Sequence, residues 1–276
     1  MSGAAGRGGD AAPRAHGGVW EVEHGYGPRV HVLDNLFLQS ALARLGSPEP
    51  RLHEVIQLLR AVYQTLLVAA TREFPSVVCE VPTRMAVEHP AEGVVRGPVF
   101  DPCVEVVVCD IVRAGLIPSQ VCFEQLLAVL PDERVRLDHL SMSRVSDESG
   151  RVTRADLSGS KIGGSVEGAI LLLPDPMGAT GSTTVRAVRH YLENHGTPAK
   201  VVALPMIATP EYLRNVLDRF ADLVVYTARI DRGLSPPDVL ALPPGTAWER
   251  ERGLDARSYI VPGAGGMGEV LNNSWC

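Results

Sequence analysis

Residues 169–184, AILLLPDPMGATGSTT, constrain the fold more than any other stretch of the chain. Ile170–Leu173 is an unbroken apolar run, the pattern of a strand buried on both faces. Asp175 stands just past its end. Six small residues follow, Gly178, Ala179, Thr180, Gly181, Ser182 and Thr183, and then a helical pattern begins. A strand, an acid, a string of backbone amides and a helix N-terminus, in that order, make a place for a phosphate-bearing sugar. The amides and the helix dipole hold the phosphate, the hydroxyls of Thr180, Ser182 and Thr183 add donors, and Asp175 accepts from sugar hydroxyls. The loop is not a Walker loop, because no Lys follows the second Gly, and it is not G-x-G-x-x-G. Read as bare sequence, an unliganded turn between strand and helix competes with this assignment.

The surrounding pattern places that loop in a parallel sheet. Val104–Cys109, Lys200–Ile207 and Asp222–Ala228 read as further strands. Helical stripes separate them at Pro118–Leu130, between the loop and Gly196, and after Thr209, which caps a helix with Pro210 at its first position. Alternation of this kind over 100–230 predicts an α/β fold, a parallel sheet with helices on both faces. Upstream, Val30–Leu45 reads as a helix or a strand followed by a helix, ending at Gly46. Ser47 and Pro48 then look like the cap and first residue of the next helix. Apolar residues at 52, 55, 56, 59, 62, 63, 66, 67 and 70 give that helix its buried face. Ser76–Glu80 and Met85–Val87 look like short strands, and Val94–Pro102 like a turn region.

A chain of 276 residues, 45% hydrophobic, can bury one substantial core. Its net charge of −6 argues against a nucleic-acid surface and against anionic membranes. The cysteines, Cys79, Cys103, Cys109, Cys122 and Cys276, show no metal spacing and read as reduced thiols of a cytoplasmic protein. The histidines fall into no metal-ligand pattern either, and His190 and His195 read as solvent-facing. Residues 1–18, rich in Gly and Ala without apolar period, read as a disordered tail before a single domain over 19–276.

Four separated motifs carry a family resemblance. Asp175–Gly181 (DPMGATG) resembles the D-P-M-x-A-T-G loop that binds 5-phosphoribosyl-1-diphosphate (PRPP) in uracil phosphoribosyltransferases. Asp110–Leu116 (DIVRAGL) is similar to their P-I-L-R-A-G-L. Tyr226–Leu234 (YTARIDRGL) and Tyr259–Gly268 (YIVPGAGGMG) are similar to Y-T-A-x-I-D-x-G-L and Y-I-V-P-G-L-G-D-A-G. The resemblance spans about His31 to Val270. It implies a type I phosphoribosyltransferase fold with a small base-binding hood, and transfer of phosphoribose from PRPP to a pyrimidine, uracil first, giving UMP and pyrophosphate. It also implies Mg2+ held mainly through the PRPP pyrophosphate, and a homodimer or higher homo-oligomer. By the same resemblance Asp175, Arg113 and Arg144 are the catalytic set. Pro176, Met177, Gly178, Ala179, Thr180, Gly181, Ser182 and Thr183 join them in binding PRPP. Ile260, Gly265, Gly266, Met267 and Asp231 belong to the base pocket, and 145–164 is a flexible arm over the site.

Four departures from the family pattern stand out. Gly266 replaces an Asp that helps hold PRPP and its metal, the next acid being Glu269. Met267 replaces an Ala, where the pyrimidine edge would approach. Gly178 replaces a Leu and should loosen the loop. Residues 236–258 form an insertion, read as a surface excursion, with a lid beside the base pocket as the sharper alternative. Two other functions share these motifs: a non-catalytic PRPP- or nucleotide-binding regulator, and a transferase with another acceptor.

Overall fold

The computed structural model describes residues 20–146 and 152–274, and for 143–146 and 152–155 the backbone alone. The tail expected over 1–18 lies outside the described residues. In chain order the elements are β1 (Val30–Val32), α1 (Leu36–Leu45), α2 (Leu52–Ala70), β2 (Ser76–Pro82), β3 (Val94–Phe100), β4 (Val106–Val112), α3 (Leu116–Leu127), β5 (Val135–Ser146) and β6 (Val152–Lys161). They continue with β7 (Ile170–Leu173), β8 (Met177–Gly178), α4 (Ser182–Asn194), β9 (Lys200–Ala203), β10 (Ile207–Ala208), α5 (Pro210–Leu217), β11 (Leu223–Thr227), β12 (Arg229–Ile230), α6 (Pro237–Leu240) and α7 (Met267–Asn272).

The main sheet has seven strands in the order β1-β11-β9-β7-β4-β5-β6. Every neighbouring pair is parallel except β5–β6. Both faces are covered, as the alternation predicts. Val106 and Val108 of β4 pack with α1, α2 and α3, whereas Val107 and Cys109 pack on the side of α4 and α5. That double cover is why VVVCDIV and ILLL carry no polar alternation. On α2, Leu59, Val62, Tyr63 and Leu66 are buried, each aliphatic side chain contributing about 1.5–3 kcal/mol by leaving water.

The connections fix where a ligand can sit. β4 leads through α3, on one face, to β5; β7 leads through α4, on the other face, to β9. β4 and β7 are hydrogen-bonded neighbours. The chain therefore departs in opposite directions from two adjacent strands, and their carboxyl ends border the crevice in which open parallel sheets bind ligands.

Several local expectations are corrected. α2 starts at Leu52, not behind Ser47 and Pro48, because Glu49 precedes a second proline and is held extended. Arg51 is the N-cap, and its N–H donates to Glu54 Oε2 at 2.9 Å. Arg84–Val87 is a 3-10 turn rather than a strand, opened by Thr83, whose hydroxyl accepts from Met85 N–H. Val94–Phe100 is a strand, not a turn region; it pairs antiparallel with β2 in a two-stranded hairpin. Gly97 and Pro98 are tolerated there because neither strand is internal to a sheet. The strand expected over Lys200–Ile207 ends at Ala203 and resumes as β10, with Pro205, which has no N–H to donate, in the gap. His190 and His195 are half-buried rather than solvent-facing, and desolvation lowers the His190 pKa.

The described residues of 145–161 belong to β5 and β6, which pair antiparallel with register shifts at Ser141/Met142 and Val145/Ser146. The inserted segment 236–258 is tied down rather than hanging in solvent. Trp248 sits edge-on against Tyr26 at 5.2 Å and donates through Nε1 to Pro210 O at 3.1 Å. Glu251, fully buried, accepts from Tyr26 OH at 2.6 Å and Gly245 N at 2.8 Å and pairs with Arg232 at 3.1 Å. Burial, then the bond to Glu251, pushes the Tyr26 phenol pKa up. The segment's body thus packs against α5 and the residues leading into β1, and only its last residue, Ser258, reaches the cavity described below.

Candidate active site

β7 stops at Leu173 because Pro174 follows, and the chain turns at Asp175, whose Oδ1 accepts from Met177 N–H at 3.4 Å. The loop then passes through β8, which lies beside β10 in a small three-stranded sheet over the carboxyl ends of the main strands. Gly181, with φ +76°, turns the chain into α4. That left-handed geometry is cheap for glycine and costly for a residue with Cβ. Thr180 O accepts from Asn215 Nδ2 at 2.6 Å and Ala179 O from Thr209 Oγ1 at 2.7 Å, so α5 braces the loop from behind.

Gly178 does not loosen this loop; it lets it close. A Cβ there would stand 2.9 Å from Pro205 Cβ and 3.1 Å from the Tyr212 ring. Gly178→Leu, the family's side chain, should therefore cost about 1–3 kcal/mol or more by overpacking, read as a lowered midpoint in urea unfolding.

Two neighbouring spaces with shared walls open here. The larger, about 500 Å3, is walled by Arg113, Asp175 and Thr183 on one side and by Ile260, Gly265 and Met267 on the other. The smaller, about 40 Å3, is walled by Thr180, Gly181, Ser182 and Thr183. Asp175, Met177, Ala179, Thr183 and Ser258 border both. Of the PRPP-loop residues expected from sequence, Pro176 and Gly178 border neither space. Arg144 lies on β5, and its side chain is outside the described residues.

Arg113 follows β4 directly. Its guanidinium donates to Ser274 Oγ at 3.0 Å and Ser274 O at 3.3 Å, and lies 3.9 Å from Glu269 Oε1. Three residues before Arg113, buried Asp110 is hydrogen-bonded through Oδ2 to His139 Nδ1 at 2.7 Å. Desolvation raises the Asp110 pKa, and the imidazole opposes that shift.

Asp231 does not wall either space. It is 2% exposed, grips Arg229 at 2.5 and 2.9 Å, and accepts from Gly263 N at 2.7 Å. Its role is to fix the 259–267 loop from behind. Gly266 and Met267 border the larger space, Met267 with its side chain buried.

Sequence reasoning missed Ser258, Met142 and Glu269 as wall residues. Ser258 immediately precedes the Y-I-V-P-G motif, so proximity to Tyr259 and Ile260 was the available signal. Ser258 is a non-glycine at φ +67°. It is held there by Asp255, whose Oδ1 accepts from Tyr259 N at 2.8 Å and Arg257 N at 2.9 Å. Ser258→Gly should relieve about 1 kcal/mol of backbone strain, seen as a higher thermal midpoint.

The comparisons with known proteins agree with this geometry. A family model described as uracil phosphoribosyltransferase matches residues 32–249. The uracil phosphoribosyltransferase of Thermosipho africanus is 28% identical over 245 residues, 88% of this chain and 98% of that protein. That of Campylobacter curvus is 29% identical over 170 residues, 62% of this chain and 66% of that protein. Among solved structures, the AQ2163 protein from Aquifex aeolicus shares the fold with a TM-score of 0.66 at 23% identity, over 88% of this chain and 97% of that one. The fold is the mostly parallel α/β architecture of type I phosphoribosyltransferases, and the chain belongs to the uracil phosphoribosyltransferase family.

Proposed function

We propose that the protein transfers the 5-phosphoribosyl group of PRPP to uracil, giving UMP and pyrophosphate. The observation that carries this reading is the pair of neighbouring spaces, one lined by loop amides and hydroxyls, the other by Arg113, with Asp175 on the wall of both. A sugar carrying a phosphate at one end and a diphosphate at the other has that shape and charge.

On this reading Thr180, Ser182, Thr183 and the amides at the start of α4 hold the 5′-phosphate. Asp175 takes the ribose hydroxyls and opposes the positive charge that grows on the sugar as its bond to pyrophosphate breaks. Arg113, joined by Arg144 from the β5–β6 hairpin, holds the departing pyrophosphate. Uracil, an amide-like ring, lies against the 259–267 loop, where backbone N–H and C=O groups of Ile260, Gly265 and Met267 match its edge. Binding and orientation account for most of the catalysis; no side chain is assigned as general base.

Magnesium fits the donors present. Asp175, on the wall of both spaces, offers hard oxygen. That is the donor set for a cation taking most of its shell from diphosphate and water. When bound, it neutralises charge on the diphosphate. The same reading makes the protein a cytoplasmic salvage enzyme acting as a homodimer or larger homo-oligomer. No described helix is long and apolar enough to cross a membrane.

The test is release of pyrophosphate and formation of UMP from PRPP, uracil and Mg2+, with cytosine, hypoxanthine and adenine as competing acceptors. Turnover with uracil supports the proposal. Tight PRPP or UMP binding without turnover on any base identifies a non-catalytic binder instead.

A further inference from the structure

Glu269 and Gly266 share one piece of space. Gly266 has φ −81° and ψ 90°, a backbone open to any residue, so its conformation does not require glycine. What stands in the place of a side chain is the carboxylate of Glu269: a Cβ built on Gly266 would collide with Glu269 Oε2. The same carboxylate borders the larger space and lies, through Oε1, 3.9 Å from Arg113. An arginine meant for a diphosphate is thus flanked by a negative charge. That charge weakens the pull of Arg113 on a bare anion. It favours a diphosphate only when a divalent cation lies between carboxylate and phosphate, because carboxylate and phosphate oxygens are both hard donors.

Resting on the PRPP reading above, we infer that Glu269 makes the pyrophosphate end of the site selective for the divalent-cation complex of PRPP, its carboxylate occupying the space left by the missing side chain at 266. Asp175, on the β7 side of the same cavity, is the other carboxylate facing that space. A structural alternative exists: Glu269 is the third residue of α7, where Glu or Gln commonly caps a helix start. Glu269→Gln separates the two roles, because Gln is as able as Glu to cap a helix start and carries no charge.

The experiment is calorimetric titration of the full chain with PRPP, once with Mg2+ and once with a chelator. The wild type is expected to bind the Mg2+ complex more tightly than free PRPP. Glu269→Gln should shrink that ratio by about tenfold, the scale lost when a group that orients a metal site is removed, with affinity for free PRPP unchanged or improved. Gly266→Asp combined with Glu269→Ala should restore the ratio to within about threefold of the wild type, because the new carboxylate grows into the same space, whereas Glu269→Ala alone should not. The inference is overturned if Glu269→Gln keeps the full ratio, or if it weakens both forms of PRPP equally, as loss of a purely structural group would. Failure of the double variant to recover what Glu269→Ala lost also overturns it. A wild type that binds PRPP under neither condition overturns the PRPP reading itself, a result distinct from any of these.

Discussion

Asp175→Asn should lower kcat for UMP formation by about 10²–10³-fold, the usual cost of removing one preorganised electrostatic contact to a charged transition state. The affinity for PRPP should change only a few-fold. The side chain emerges at the carboxyl end of β7, on the wall common to both spaces. Asn keeps an oxygen able to accept from Met177 N–H, now at 3.4 Å. The loop therefore holds its shape while the negative charge facing the sugar is gone. Steady-state pyrophosphate release combined with PRPP titration separates the two quantities. Unchanged kcat would remove Asp175 from the reaction; loss of binding with kcat intact would make it a ground-state contact only.

Asp231→Ala should cost about 3 kcal/mol of unfolding free energy, the low end of what breaking a buried ion pair removes, since the Arg229 side chain keeps 25% exposure and reaches some water. Two losses combine. The Arg229 guanidinium loses both carboxylate bonds, and Gly263 N–H loses its acceptor at 2.7 Å. Because Gly263 lies between Ile260 and Gly265 on the cavity wall, KM for the base should rise as well. Urea unfolding measures the first effect and base titration at saturating PRPP the second. A KM effect without loss of stability would place Asp231 in the base site itself, which its 2% exposure and its position behind the loop argue against.

How far the chain could be read in advance depended on the range of the forces involved. The helical face of α2 and the unbroken apolar strands β4 and β7 were legible, because burial on one or both faces writes itself into periodicity. Short elements near prolines were misread. The start of α2 and the break between β9 and β10 depend on which residue must stay extended or forgo a hydrogen bond, and sequence alone leaves the register open by several residues. The β2–β3 hairpin was half missed because Gly and Pro, ordinarily turn residues, are acceptable on exposed strands.

The order of residues by itself determined the chemistry on offer: an acid and a phosphate cradle after one apolar strand, and an arginine after another, in a pattern belonging to one family. Tertiary structure alone decided how those pieces combine. Only the pairing of β4 with β7 brings Arg113 and Asp175 to one crevice, because strand order is set by long-range packing and not by local pattern. Asp231 borders neither space; it binds Gly263 N from behind the 259–267 loop. Gly178 changed from a source of slack into a close-packing requirement, through contacts with Pro205 and Tyr212, residues 27 and 34 positions away. Glu269 was visible as a nearby acid, but that its carboxylate fills the space at Gly266 is a fact of three dimensions. Side chains compete for volume, and volume is assigned only once the chain has folded.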